Sequence, residues 1–109
     1  MKKKGKDGLI AEKGTGSGIY VQIKDYSLNT GDRISFAVRE SIDSEKLIDK
    51  DISVFTEGKA YIPITAEDLD ALEPGNYVYG VMFEKSGAEP VNVIREAPFI
   101  VQGSVAEDG

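Results

Sequence analysis

Cysteine, histidine and tryptophan are all absent from the 109 residues. Without cysteine there is no disulfide, no thiol nucleophile and no thiolate metal site. Without histidine the commonest general base, the usual catalytic triad and the usual zinc ligand set are missing. No apolar run approaches the ~18 residues of a membrane-crossing helix. The opening MKKKGKDGLIAEKG is charged like the start of a secretory signal, but no apolar stretch of ~7–15 residues follows it, so no signal peptide is expected. These absences point away from an enzyme and leave a small binding or structural module that needs no cofactor and no metal.

What is present is an ordinary globular balance, 40% apolar and 29% charged, of a length that suits one domain with one modest core. The net charge of −6 is unevenly placed. Lys2, Lys3, Lys4, Lys6 and Lys13 face only Asp7 and Glu12 within residues 1–13, a local +3 that leaves −9 for the rest. An acidic body repels phosphates, so nucleic acid is not an expected partner. The basic start followed by Gly14-Thr15-Gly16-Ser17-Gly18 reads as a flexible arm and linker over residues 1–17. The domain proper then covers 18–105, with an acidic tail at 106–109.

The periodicity is that of strands. Ile19, Val21 and Ile23 alternate with polar neighbours, and Ile34, Phe36 and Val38 do the same. Asn29, Gly31 and Asp32 supply turn chemistry between them. Residues 47–55 read as an edge strand, because Asp49, Lys50 and Asp51 would block unwanted pairing there. Ala60, Ile62 and Ile64 form the inward side of the next strand, and Pro63 confines it to an edge or brings its end close. Thr65 to Leu72 is the one helical signal, capped by Thr65, carrying early acids at Glu67 and Asp68, and stopped by Pro74-Gly75. Asn76 to Glu84 is apolar on both faces and should be central, with Gly80 marking a bulge or a close backbone approach. Residues 91–94 and 99–101 make the last two strands. About seven short strands with Gly and Pro punctuation predict an all-β, two-sheet antiparallel sandwich with one short helical turn.

Candidate chemistry is sparse. The glycine run is followed by a strand, so the helix that would hold a phosphate is missing. The acids at 49/51 and 67/68/70 do not follow the alternating calcium-loop pattern. Carboxylate pairs for glycoside hydrolysis would need a cleft that so small a sandwich can scarcely build. No catalytic, cofactor-binding or metal residue is assigned. Tyr77 and Tyr79 read as core, whereas Tyr20 and Tyr61 lie opposite their strands' apolar faces and are interface candidates. Asp49, Asp51, Ser53 and Phe55 join them as candidates on the expected edge.

The segments LNTGD (28–32), ISFAV (34–38), IPITAED (62–68), LEPGNYVYGVMFE (72–84) and APFIVQGSV (97–105) resemble small phage virion proteins. That group includes the immunoglobulin-like amino-terminal domain of phage baseplate upper proteins. Leu69 stands where the group often has Thr, and Gly80 where it often has Asp. The resemblance implies an immunoglobulin-like sandwich and a non-enzymatic structural or adaptor role in the tail or baseplate region of a phage or prophage particle. Its partners would be further copies of itself or other virion proteins, with no small-molecule substrate and no membrane. The protein would reside in the virion, or in the host cytoplasm before assembly. The alternative is a carbohydrate-binding or adhesin-like sandwich, suggested by exposed tyrosines and an acidic loop.

Overall fold

Ile34, Phe36 and Val38 are completely buried, while Ser35 and Ala37 between them are half-exposed, so the two-residue alternation in the sequence becomes one wet and one dry face. The computed structural model describes residues 2–103 and is an all-β sandwich with one short helix. Its strands are β1 (Lys2–Lys4), β2 (Gly8–Glu12), β3 (Ser17–Val21), β4 (Arg33–Arg39), β5 (Ile48–Ile52), β6 (Ala60–Ile64), β7 (Gly75–Glu84) and β8 (Val91–Gln102). Helix α1 (Ala66–Asp70) lies between β6 and β7. The acidic tail expected at 106–109 lies outside the described residues, as does the end of the domain at 104–105.

The two sheets are unequal. Six strands run in the order β1-β2-β8-β7-β4-β5, and only β3 and β6 form the second sheet. All pairings are antiparallel except β2 with β8, which makes the large sheet mixed. β7 is internal, flanked by β8 and β4, as its two apolar faces require. β5 is an edge strand, although it ends at Ile52 rather than at residue 55.

Two sequence expectations need correction. The flexible arm expected over residues 1–17 is instead a hairpin of β1 and β2, followed by the start of β3. The lysines drew attention to the charge, but Leu9 and Ala11 are buried and align with Phe99 and Val101 of β8. The two last strands are one continuous β8, because a bulge opposite Gly80 absorbs the irregular Arg95-Glu96 stretch. A methyl group at Gly80 would stand 3.0 Å from the Arg95 carbonyl oxygen, a tight contact that favours glycine at this close approach.

The core is built on Phe36, Tyr79 and Phe99, whose ring centroids lie 5.6–6.3 Å apart. Ala60, Ile62 and Ile64 of β6, with Leu69 and Leu72, are buried in the same cluster. The Tyr79 hydroxyl donates to the Asp7 carbonyl and so pins the β1–β2 turn to the core. Burial, and then the charge of Asp7, raises the Tyr79 pKa above the ordinary tyrosine value. Tyr77, two residues into β7, donates its hydroxyl to the Glu73 carbonyl at 2.7 Å. The bond ties the start of β7 back to the Glu73-Pro74-Gly75 turn that separates it from the helix.

Helix α1 is held by a reciprocal cap. Thr65 Oγ1 accepts from the Asp68 N–H at 3.0 Å, and the Asp68 carboxylate accepts from the Thr65 N–H at 2.9 Å. Lys50 of β5 reaches the same carboxylate at 2.8 Å, tying the edge strand to the helix. Partial burial works against the charge of Asp68, but Lys50 and Thr65 outweigh it and hold the carboxyl below its ordinary range.

Asp32 is the one buried acid among the described residues. It accepts from the Ser86 N–H at 2.9 Å, the Tyr26 hydroxyl at 2.7 Å and the Asn29 N–H at 3.1 Å. One carboxylate thus joins the turn before β4 to the turn after β7, and Gly31, at φ 100°, gives the chain room to present it. The Ser86 N–H holds the Asp32 carboxyl low, desolvation opposes it, and Tyr26 and Asn29 reinforce it.

Because Asp32 and Asp68 both titrate lower in the fold than in the unfolded chain, each stabilises the protein above a pH of about 4. That stability is lost as pH falls through the folded values. Asp32→Asn is expected to lower the Tm at pH 7 by about 5 °C and to flatten the acid side of a Tm-against-pH curve. Tyr79→Phe is expected to cost about 1 kcal/mol. Hydrogen exchange should quicken chiefly in the β1–β2 hairpin, and uniform quickening across both sheets would contradict its role as a pin.

Candidate functional site

A two-stranded sheet and a five-residue helix share the core with one side of the six-stranded sheet. Among the described residues no strand or helix covers the other side, which only the β4–β5 loop borders. The register gives that outer side its membership. Ser35, Ala37 and Arg39 of β4 stand opposite Met82, Gly80 and Val78 of β7, and Asp51 and Asp49 of β5 stand opposite Ser35 and Ala37. All of these but Asp51, together with Ile42 from the β4–β5 loop, line an open groove of about 280 Å³. Its floor is Ala37, Val78, Gly80 and Met82, and its rim is charged, with Arg39, Lys46 and Arg95 against Asp49 and Glu96. Met82 is 40% exposed there. An apolar floor within a polar rim is the composition of a contact surface.

The other outer face, on the β3–β6 sheet, carries the tyrosines. Tyr20 and Tyr61 are direct cross-strand partners with ring centroids 5.0 Å apart, and both are exposed. Tyr61 leans over Gly18, where a methyl group would collide with the ring. The glycine thus serves the aromatic pair and not a linker.

The six residues expected at an interface are therefore not gathered in one place. Tyr20 and Tyr61 meet on one side of the sandwich. Asp49 and Asp51 are exposed on the opposite side, at the open edge of β5. Ser53 is exposed just past the end of that strand. Phe55 is half-buried, with part of its ring packed against the core. The groove floor was not among the expected residues. Its signal is the second apolar face of β7, which the sequence marks only as belonging to a central strand.

Among the described residues the carboxylates do not gather in one site. Asp32 and Asp68, whose pKa values are displaced, already use their oxygens in structural bonds. Among the described residues no group of three or more acids gathers as a metal site, and no helix is long and apolar enough to cross a membrane.

The chain matches no protein-family model and no curated protein.

An uncovered face has a measurable signature in stability. Val78→Thr and Met82→Thr are each expected to change unfolding free energy by less than about 0.5 kcal/mol. Phe99→Ala, on the covered face of the same sheet, is expected to cost about 3–5 kcal/mol. Urea denaturation of the three variants distinguishes the faces, and a large loss at Met82 would show that its face is buried.

Proposed function

We propose that the chain is a non-enzymatic association module, a structural or adaptor component of a phage or prophage particle. The observation that carries the association reading is the groove over β7. It is an apolar strip on the rigid centre of a sheet, left open and ringed by charges of both signs. Sites on central strands are well positioned because pairing on both sides fixes their backbone. The virion setting is supported by the LNTGD, IPITAED and LEPGNYVYGVMFE segments. Binding in this reading buries Val78 and Met82 under an apolar group of the partner, while the charged rim sets orientation.

The test is coexpression with the products of adjacent structural genes, followed by copurification and light scattering. A stoichiometric complex is expected with at least one of them. It should be lost in Val78→Glu/Met82→Glu, whose circular dichroism and Tm should match the parent. A chain that binds none of those products, or whose complex ignores the double substitution, would contradict the reading.

A further inference from the structure

The six-stranded sheet has two open edges, β1 and β5, and their charges are opposite. β1 is Lys2-Lys3-Lys4, fully exposed, with Lys6 in the turn that follows. β5 presents Asp49 and Asp51, both exposed. Open edges expose unpaired N–H and C=O groups and are templates for adding a further strand.

The register fixes which charges could meet. Lys2 stands opposite Ile10, Ile10 opposite Ile100, and Ile100 opposite Asn76, so Lys2 lies on the outer face of the sheet, and Lys4 follows two residues on. Asp49 and Asp51 lie on the same face through Ala37 and Ser35. Each edge therefore carries two like charges at two-residue spacing on one face, basic on β1 and acidic on β5. Strand direction fits as well. Four of the five pairings between β1 and β5 are antiparallel and one is parallel, so the two edge strands run the same way. A second copy placed beside the first without turning over brings β1 alongside β5 in parallel, both outer faces on one side, Lys2 and Lys4 against Asp49 and Asp51.

We propose that the chain associates head to tail with further copies of itself, the β1 edge of one continuing the sheet at the β5 edge of the next. The competing arrangements are selected against by charge. Antiparallel β1–β1 pairing sets lysine against lysine, and β5–β5 pairing sets aspartate against aspartate. Turning the second copy over puts the lysines and aspartates on opposite faces. The present partners of the acids do not prevent the contact: Lys46 stands 3.8 Å from Asp49 in an exposed pair of little strength, and among the described residues Asp51 accepts only from Ser35 Oγ. Because the joined surfaces differ, the contact is heterologous and repeats into a ring or an open filament. β1 is only three residues long, so each junction is weak and the assembly depends on concentration and salt. The proposal deepens the association reading by naming a partner; it rests on the edges, and shares with the groove only the rim residue Asp49.

The experiment is analytical ultracentrifugation of the whole chain across a concentration series, at low salt and at 0.5 M NaCl, where screening acts within about 4–5 Å. Mass should rise with concentration at low salt and fall towards the monomer at high salt. Lys2→Glu/Lys4→Glu and Asp49→Lys/Asp51→Lys should each be monomeric alone and should assemble when mixed. One chain carrying all four substitutions should assemble by itself. Val78→Glu/Met82→Glu, which blocks the groove, should assemble like the parent, so failure of the groove reading and failure of this one are separable. A monomer at every concentration, or an assembly indifferent to both reversals, would overturn the proposal.

Discussion

The molecule turns on a mismatch of areas. Six strands make one large sheet, and the chain supplies only two strands and one short helix to cover it. Apolar area removed from water stabilises a fold at roughly 25 cal/mol per Å², so the covered face carries the folding free energy. Phe36, Tyr79 and Phe99 sit there, with every side chain of the buried β6 row directed at the same cluster. The uncovered face contributes little to folding and is free to be used. Its central strand still carries Val78 and Met82, which a purely solvent-facing strand would not require.

Polar links hold the thin cover in place. Lys50 and Asp68 join edge strand to helix, Asp32 joins two turns at one end of the sheet, and Tyr79 joins the amino-terminal hairpin to the core. The links are made to main-chain groups, to one opposite charge and, at Asp32, also to the Tyr26 hydroxyl. Such bonds position loops against a rigid sheet and leave few buried polar atoms without partners. Among the described residues no buried side-chain nitrogen or oxygen lacks one.

Much of this was legible in the residues. Alternation located β4, β6 and β7, the Thr65 cap and Pro74-Gly75 bracketed the helix, and Gly80 announced the bulge. Tyr20 and Tyr61 were legible as outward-facing, and their pairing follows from the β3–β6 register. The β1–β2 hairpin was not legible, because three consecutive lysines hide a strand whose burial depends on β8, some ninety residues away in the chain. The same long-range pairing explains why residues 91–102 looked like two strands: Pro98 breaks the pattern locally, yet it pairs with Val78 while β2 joins only from Phe99. Phe55 misled for a related reason, since a residue after a strand end can turn back to the core and alternation carries no information there. The groove was not legible because two apolar faces mark a central strand without telling whether the second face is covered.

The central claim is that one face of the large sheet is open in the isolated chain, and Met82 reports on it directly. Thioether oxidation by peroxide requires access to the sulfur. Mass spectrometry of the folded monomer should find Met82 converted at a rate of the same order as in the urea-unfolded chain. Protection by several orders of magnitude in the monomer would mean that the face is closed, and the account would be wrong.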